Sequence, residues 1–431
     1  MRKNTTRFVV AFFLLIIISL VFYFFNRPVN RLPQAAPSSP EKLEKLKSLP
    51  YLNWAPLDKN EKNKIGVTKF DSELSYKGVN IYCSRGSSGG LMMDMNGRIL
   101  HEIVDRRKEK EGKKGGQWHL VEPYLNNGFL AIIENKEIFL MNWDLSIKWR
   151  RNLRAHHDID VAENGDIFTL AWKRGADGRI RKDGPIIDNK IVILNREGKI
   201  IREISLAEVV AKNKKLSAIA LNKKQIFQGY LYDEHAINIF HANTVEIIRR
   251  DVNIDLKKIF KKGDILFCCR NLNTIGVLDL EKEEIVWEWG ADELDCPHNP
   301  SLLENGNILV FDNGAFRKYS RVLELNPESG KIIWEYKATP PGSFFSRTMG
   351  SAQRLPNGNT LITEGEKGHV FEITFDGKIV WEFYNPELKL RSTKESDYER
   401  GTIYRMIRLP GINVFFDVGF SPKRSGFSLY L

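Results

Sequence analysis

The chain has 431 residues, of which 42% are hydrophobic and 28% are charged, and its formal net charge is +11. Excess positive charge attracts anions, but the lysines are spread along turns and no stripe of basic and aromatic residues occurs. We therefore exclude nucleic acid as a partner and keep small anionic molecules as candidates.

The first predicted element is a transmembrane helix. Residues 8–25 are almost wholly apolar and follow three basic residues, Arg2, Lys3 and Arg7. This segment can just cross a bilayer, which needs about 20 residues, whereas a cleaved signal peptide has an apolar core of about 7 to 15. The sequence Gln34-Ala35-Ala36 is a poor cleavage site, so we favour a signal anchor in 1–26 over a cleaved signal peptide.

The basic cluster at the N-terminal end indicates that this end stays in the cytoplasm. The sequence thus predicts a single-pass protein of the plasma (inner) membrane. Its C-terminal domain would be extracytoplasmic, in the periplasm or outside the cell.

After the anchor we expect a linker, a globular unit and a tail. Residues 27–65 are rich in Pro, Ala, Ser and Lys without a sustained hydrophobic period, which is typical of a flexible linker. Residues 66–410 form the globular unit, and a lysine-rich, helix-compatible insertion at 205–233 interrupts it. Residues 411–431 fit no pattern of the unit and stay unassigned.

The globular unit is built from a repeat. Its clearest copies are strands that carry a tryptophan and follow Glu284, Gly330 and Gly377, which lie 46 and 47 residues apart; weaker copies follow Gly97, Ser146 and Gly198. Each copy consists of short alternating strands separated by turn residues, which predicts a β-meander. A period of roughly 40 to 50 residues with four strands is typical of a propeller blade. We predict an all-β, six-bladed β-propeller; the alternative is a strand-rich solenoid.

Four cysteines occur in the unit: Cys83, Cys268, Cys269 and Cys296. They allow three pairings in an oxidising compartment, and none has the spacing of a metal site. Cys268 and Cys269 are neighbours on a predicted strand, so their side chains should point to opposite faces. The pairing stays open.

Histidines mark the other end of the repeat. His157, His241 and His298 each begin a copy, and His119 begins another in a slightly different register. The strands that follow are the expected innermost strands of a propeller, so these side chains should meet in the central channel. Such a cluster could bind a metal or surround an anion with hydrogen-bond donors. The alternative for each histidine is a bond to a backbone carbonyl.

Two neighbouring residues favour an anion over a metal. Asn243 lies two residues after His241, and on an extended segment both would face the same side. Arg270 ends an otherwise apolar strand, and its guanidinium suits a tetrahedral oxyanion. An arginine inside a metal site would repel the cation, so we predict no metal; a salt bridge at the edge of a blade is the alternative for Arg270.

The motifs around these residues resemble the bacterial arylsulfate sulfotransferase family. In chain order they are His156-His157-Asp158, His241-Ala242-Asn243-Thr244, Arg270-Asn271-Leu272-Asn273, Pro297-His298, Val310-Phe311-Asp312-Asn313-Gly314 and the segment 353–363. The similarity extends from about residue 78 to residue 410. It implies a six-bladed propeller that moves a sulfuryl group from a phenolic sulfate ester to a phenol without a nucleotide donor.

The resemblance also implies roles for single residues. His298 matches the histidine that attacks sulfur and is transiently sulfurylated, His157 and His241 match catalytic histidines of the pocket, and Asn243 and Arg270 match residues that bind the sulfuryl oxygens. It implies a phenolic sulfate and a phenol as the partners, and no cofactor. His156 competes with His157 for its position, although the register of the repeat favours His157.

Two other classes of function stay open. A non-catalytic, membrane-anchored propeller could use the same channel to bind a protein or an anionic ligand. A quinoprotein dehydrogenase is the third hypothesis, but such enzymes usually have eight blades and acidic residues around calcium, which we do not find. The oligomeric state is not predicted.

Overall fold

The computed structural model describes residues 54–57, 61, 63–84, 87–105, 117–125, 128–182, 184–222, 236–254, 257–390 and 398–410. All of them belong to one compact unit, residues 49–431. The transmembrane anchor in 1–26 and the tail 411–431 lie outside the described residues, so both stay predictions. Among the described residues, no helix is long and apolar enough to cross a membrane.

Strands dominate the described part of the chain. In chain order they are β1 (Trp54–Pro56), β2 (Gly66–Phe70), β3 (Gly78–Ser84), β4 (Gly89–Met93), β5 (Ile99–Val104), β6 (Trp118–Pro123), β7 (Phe129–Ile133), β8 (Glu137–Met141), β9 (Ile147–Arg151), β10 (Ala155–Val161), β11 (Ile167–Gly175), β12 (Ile186–Leu194), β13 (Ile200–Ser205), β14 (Ala242–Ile247), β15 (Val252–Ile254), β16 (Lys257–Phe260), β17 (Ile265–Cys269), β18 (Thr274–Asp279), β19 (Glu284–Trp289), β20 (His298–Leu302), β21 (Ile308–Asp312), β22 (Arg321–Leu325), β23 (Ile332–Tyr336), β24 (Ser351–Arg354), β25 (Thr360–Glu364), β26 (His369–Ile373), β27 (Ile379–Tyr384), β28 (Leu388–Leu390), β29 (Tyr398–Gly401) and β30 (Ile403–Pro410). Two helices, α1 (Leu206–Lys212) and α2 (Lys214–Asn222), and three 3₁₀ turns, Arg270–Leu272, Pro341–Ser343 and Gly365–Lys367, complete the list.

Most strands belong to antiparallel sheets of four or five strands. We number them sheet 1 (β30-β3-β4-β5), sheet 2 (β6-β7-β8-β9), sheet 3 (β10-β11-β12-β13), sheet 4 (β14-β17-β18-β19), sheet 5 (β20-β21-β22-β23) and sheet 6 (β24-β25-β26-β27-β2). The first strand of each sheet contacts the first strand of the next, and β24 of sheet 6 contacts β30 of sheet 1. The predicted all-β, propeller-like fold is therefore confirmed.

Apolar side chains fill the space between neighbouring sheets. Strands in the middle of the sheets, such as β7, β17 and β21, are buried along their whole length, because another sheet covers each of their faces. Last strands such as β23 are partly exposed. The core is thus a series of layers between sheets, and it includes the layer between sheet 6 and sheet 1 that contains Tyr82 and Trp381.

The tryptophans of the repeat connect four of the six sheets to the next sheet. The indole N–H of Trp149 donates to Arg196 O at 2.9 Å, that of Trp287 to Pro327 O at 2.9 Å, that of Trp334 to Phe375 O at 2.9 Å, and that of Trp381 to Met95 O at 2.8 Å. Each acceptor lies in a turn of the following sheet. The last of these bonds joins sheet 6 to sheet 1. The tryptophan thus recurs in the sequence because it makes the same hydrogen bond between neighbouring sheets.

Both ends of the described chain take part in closing the ring. The final strand β30 pairs with β3, with Ile81 opposite Ile407, and becomes the first strand of sheet 1. The early strand β2 pairs with β27 and extends sheet 6. Pairing distant segments in one sheet leaves fewer exposed strand edges and joins the two ends of the unit.

Two features differ from, or refine, the sequence-based expectation. The segment predicted as a linker, 27–65, contains strand β1, which pairs with β29 and has Trp54 opposite Gly401. The insertion at 205–233 begins with α1 and α2, as its pattern predicts, and Ser205 caps α1 by accepting from the backbone N–H of Glu208 at 3.1 Å. Residues 223–235 lie outside the described residues.

A buried ion cluster in sheet 6 makes stability depend on pH. His369 lies between Glu364, at 2.8 Å, and Glu382, at 3.1 Å. Burial acts to lower the pKa of His369, but hydrogen bonds from the ring to the two carboxylates outweigh it and raise this pKa above its ordinary value. Burial likewise opposes a lower pKa of Glu382, but the bond to His369 lowers it to about 2.

We expect His369→Gln to destabilise the protein by about 2 to 3 kcal/mol near pH 6, because the buried Glu364 keeps only Lys367 as a cationic partner and the partly buried Glu382 loses its contact with His369. The raised pKa of His369 contributes stability below about pH 6.5, and this contribution is lost as pH rises through the folded-state pKa. The lowered pKa of Glu382 contributes above about pH 4.3 and is lost in acid. Urea denaturation from pH 3 to 9 should therefore show a difference between wild type and variant that is largest near pH 5 to 6. A difference independent of pH would contradict this.

Candidate functional site

The first strands of four neighbouring sheets carry histidines at equivalent places. His119 lies on β6, His157 on β10 and His298 at the start of β20, and His241 directly precedes β14. At each place the pairing with the next strand shifts, between Trp118 and Leu120, His156 and Ile159, Ala242 and Thr244, and His298 and Ser301. A β-bulge re-aims a side chain, so the repeated bulge directs the histidines to one place.

Two of these histidines have a left-handed backbone. The φ angle is 63° at His157 and 46° at His241. This conformation costs roughly 1 to 3 kcal/mol for a residue other than glycine and persists only where the surroundings hold it. Such strain is concentrated at functional sites, and here it accompanies the bulges.

The histidine rings form one buried cluster around His157. Its ring centroid lies 4.8 Å from that of His156, 4.9 Å from His241 and 5.1 Å from His119. His298 is buried as well, with 3% of its surface exposed. The structure thus brings the predicted histidines together, and it places His157 at the centre while His156 lies between His157 and Asn189.

Arg270 adds a positive charge to this cluster. It opens the 3₁₀ turn that follows β17, and its backbone N–H donates to His241 O at 3.3 Å. Its Nη1 donates to Asn271 Oδ1 at 2.9 Å, and Asn271 Nδ2 donates to Asn238 O at 2.6 Å. Arg270, the residue predicted to bind an oxyanion, is therefore buried next to His241. The turn that carries it is stabilised by the hydrogen bonds of Asn271.

Asn243 lies beside His298. Its Nδ2 donates to Pro297 O at 2.9 Å, and its Oδ1 accepts from Thr244 Oγ1 at 3.0 Å. An amide has two N–H donors. One N–H donor of Asn243 connects β14 to Pro297, the residue before His298. The predicted binding of a sulfuryl oxygen requires the other N–H donor.

Four histidines of the cluster are neutral at neutral pH: His156, His157, His241 and His298. Burial, and then the charge of Arg270, lower the pKa of His298 to about 3. The same two causes place the pKa of His241 well below its ordinary value, and burial with the neighbouring imidazoles does so for His157. Burial lowers the pKa of His156 to about 4. Neutral imidazoles offer one lone pair and one N–H each.

Sheet 6 has a glycine at the place where other sheets have a histidine. Gly350 precedes β24 with a φ of 123°, and a Cβ at this position would lie 2.6 Å from Cε1 of Phe311. A side chain would therefore clash with the phenyl ring. This explains why the sequence has Gly350-Ser351 where sheets 3 and 5 have histidine.

Tyr404 is a site residue that the sequence did not reveal. It lies on the closing strand β30, its ring centroid is 3.9 Å from that of His119 and 5.7 Å from that of His157, and its Oη donates to Asn243 O at 3.2 Å. The next residue, Arg405, donates to Asp158 at 2.5 Å and pairs with Glu122 at 3.0 Å. No local motif marks these residues, because only ring closure brings β30 to the histidines.

In the part of the chain that the structure describes, one group of side chains could hold a metal ion by ligand type. Ligand atoms of His119, Glu134 and His157 all lie within 4.8 Å of one another, and two histidines with a glutamate are a familiar zinc set. However, His157 Nδ1 lies 2.6 Å from His156 Nδ1 in a hydrogen bond, so this nitrogen is already engaged. The absence of a metal stays a prediction.

All four cysteines are buried, and none of them is in a disulfide bond. Cys268 faces the layer shared with Val310 of sheet 5, and Cys269 faces the layer shared with Leu170 of sheet 3. The prediction that these neighbours point to opposite faces is confirmed. Cys268 Sγ donates to Pro297 O at 3.3 Å, and burial raises the pKa of the thiol, which keeps it protonated.

Comparison with protein families identifies one family for this chain. A family model described as Arylsulfotransferase (ASST) matches residues 134–386, the segment that contains His157, His241, Arg270 and His298. No curated protein matches the chain significantly.

Several solved structures are similar to this chain at low sequence identity. A protein of unknown function from Bacteroides caccae is 13% identical, covers 77% of this chain and 99% of its own, and has a TM-score of 0.50. A catalytically inactive variant of virginiamycin B lyase from Staphylococcus aureus, solved with quinupristin, is 13% identical with 82% and 96% covered and a TM-score of 0.43. The WD40 propeller domain of Doa1 is 10% identical with 82% and 95% covered and a TM-score of 0.42.

Proposed function

The chain belongs to the arylsulfotransferase (ASST) family, and from this premise we propose that it transfers a sulfuryl group from a phenolic sulfate ester to a phenolic acceptor. The observation that carries the proposal is His298, a buried imidazole whose pKa of about 3 keeps it neutral beside the Arg270 guanidinium. A neutral imidazole is a competent nucleophile, and a fixed cation stabilises the charge that develops on a tetrahedral oxyanion.

In the first half of the proposed reaction, His298 attacks sulfur, a nitrogen–sulfur bond forms and the ester sulfur–oxygen bond breaks. The electron pair of that bond leaves with the phenolate oxygen. In the second half the acceptor oxygen attacks the same sulfur, and the imidazole is released. The departing phenolate gains one proton and the acceptor phenol loses one, so the two half-reactions balance. No redox partner, nucleotide or metal is needed.

The other residues of the site bind the oxygens. Arg270 and Asn243 hold non-bridging oxygens of the sulfuryl group, since both are buried beside the strand that carries His298. His157 and His241 line the same space and supply ring N–H donors. Tyr404, packed against His119, offers an aromatic surface for the phenolic ring.

We also propose the wider setting. The six sheets are the six blades of the propeller, the segment 8–25 anchors it in the plasma membrane, and the propeller lies outside the cytoplasm. The phenolic substrates are then small molecules of the periplasm or of the medium. A protease added to intact spheroplasts should digest the propeller; protection until the membrane is opened would contradict this orientation.

We expect the full chain, purified in detergent, to release nitrophenolate from 4-nitrophenyl sulfate in proportion to added phenol. Because a covalent intermediate separates two half-reactions, double-reciprocal plots at several phenol concentrations should be parallel. Mass spectrometry after mixing with donor alone should find one added SO₃ group on the peptide that contains His298.

A folded protein that shows no transfer across several aryl sulfates would contradict the proposal. The alternative, a non-catalytic membrane-anchored propeller that binds an anionic ligand or a protein, would then be favoured. Binding of inorganic sulfate to the cluster without any turnover would be its signature.

A further inference from the structure

Three asparagine side chains, those of the buried Asn189 and Asn313 and of the half-buried Asn238, contact ring nitrogens of the pocket histidines. Asn313 contacts His298, Asn238 contacts His241, and Asn189 contacts His156. In each case a second hydrogen bond fixes which end of the amide, oxygen or nitrogen, faces the ring. A neutral imidazole carries its proton on one nitrogen only, and the partner of the other nitrogen decides which.

Asn313 presents its oxygen to His298. Its Nδ2 donates to Ser346 O and to Met349 O, both at 2.7 Å, so its Oδ1 is the atom at 2.7 Å from His298 Nδ1. Cys296 O, at 3.3 Å from the same nitrogen, is a second acceptor. Two acceptors require a proton on Nδ1, and His298 therefore has its lone pair on Nε2.

Asn238 presents its nitrogen to His241. Its Oδ1 accepts from the backbone N–H of His241 at 2.8 Å, and its Nδ2 lies 3.3 Å from His241 Nδ1. An amide N–H facing Nδ1 requires a lone pair there. The proton of neutral His241 is thus on Nε2, the reverse of His298.

Asn189 acts on His157 through His156. Its Oδ1 accepts from the backbone N–H of Ala242 at 3.1 Å, so its Nδ2 faces His156 Nε2 at 3.3 Å. The proton of neutral His156 is therefore on Nδ1, which donates to His157 Nδ1 at 2.6 Å. His157 then also carries its proton on Nε2.

We propose that Asn313, Asn238 and Asn189 are positioning residues that set opposite tautomers in one pocket. His298 presents a lone pair for attack on sulfur, while His241 and His157 present N–H donors to the oxygens of the sulfate ester. This inference rests on the proposed function for its catalytic meaning. The hydrogen bonds that set the tautomers stand independently of it.

The same substitution should have opposite effects at these positions. Aspartate has the shape of asparagine but accepts hydrogen bonds where the amide donates. Asn313→Asp keeps an acceptor for His298 Nδ1–H, and as a neutral carboxyl it can still donate to Met349 O. At Asn238 and Asn189 the new carboxyl faces an imidazole nitrogen instead of two carbonyls, so it ionises and replaces a donor with an acceptor. This pulls the proton of His241 or His156 toward the asparagine position and removes an Nε2–H from the pocket.

We expect Asn313→Asp to keep kcat within about 10-fold of wild type, whereas Asn238→Asp and Asn189→Asp lose roughly 10²-fold, the usual effect of one lost oxyanion donor. Asn313→Leu, which removes the acceptor, should lose activity as well. Asn195→Asp is the matched control, because the Asn195 side chain only accepts, from the backbone N–H groups of Glu197 and Lys199 in an exposed turn. Equal losses in Asn313→Asp and Asn238→Asp would overturn the proposal.

NMR with ¹⁵N-labelled histidine gives a readout that needs no activity. Assigned through single His→Gln variants, His298 should show a protonated Nδ1, and His241 and His157 a protonated Nε2. Asn238→Asp should move the proton of His241 to Nδ1. The same tautomer in all three rings would overturn the inference even if transfer occurs, and the expected tautomers without transfer would leave it intact while the proposed function fails.

Discussion

Replacing His298 with asparagine is expected to abolish sulfuryl transfer, with a loss of roughly 10⁴-fold or more, because the variant lacks the proposed nucleophile of the covalent intermediate. The release of nitrophenolate from 4-nitrophenyl sulfate, with and without phenol, measures this loss. Asparagine keeps a polar side chain that can bond to Asn313, so the fold should survive. Thermal unfolding of the variant checks this directly.

A matched control separates the nucleophile from a general effect of losing an imidazole. His101→Asn changes a histidine on the outer strand β5, away from the cluster, where the ring stacks on Phe129. It should leave transfer within about twofold of wild type, because β5 is the outer strand of sheet 1 and carries no residue of the site. A His298→Asn variant that still transfers sulfate in parallel-line kinetics would show that another residue is the nucleophile.

Arg270→Lys is expected to reduce kcat/KM by roughly 10² to 10³, the cost of removing one preorganised oxyanion ligand. Lysine keeps the charge but not the planar fork that matches a tetrahedral oxyanion. The effect should lie mainly in kcat if Arg270 binds the transition state more tightly than the ester. Arg354→Lys, which changes an arginine paired with Glu324 outside the site, is the control.

Arg270→Met should in addition shift the pH profile. Protonation removes the lone pair of His298, so the acid limb of kcat/KM for the donor half-reaction reports its pKa. This pKa is about 3 in the wild type because of burial first and Arg270 second. Without the cation the acid limb should move to higher pH, yet stay below about 6.5, since burial remains. An unchanged acid limb would show that Arg270 does not act on His298.

Local sequence patterns predicted much of the architecture. The tryptophan strands recur because four of the six sheets make the same indole bond to a turn of the next sheet, as Trp381 makes to Met95 O. The histidines recur because each innermost strand begins at the same place relative to the axis. A repeat in sequence therefore predicted both the propeller-like fold and the register that brings His157, His241 and His298 together.

Other parts of the site had no local signal. Tyr404 reaches the cluster only because β30 closes the ring, far along the chain from His119. Asn189 lies on β12, and the backbone that orients it belongs to the neighbouring sheet. Asn313 stands in a motif that the sequence marked, but its two acceptors, Ser346 O and Met349 O, come from a later loop.

The sequence by itself determined the class of fold, the order of the sheets and the kinds of residue around the axis, because strand periodicity and turn chemistry act between near neighbours. Only the tertiary structure decided what state those residues are in. Burial inside a closed ring lowers the pKa of His156, His157, His241 and His298, and amides from other strands determine which ring nitrogen carries the proton. Both depend on side chains that are distant in sequence, so the chemistry of His298 is a property of the assembled ring.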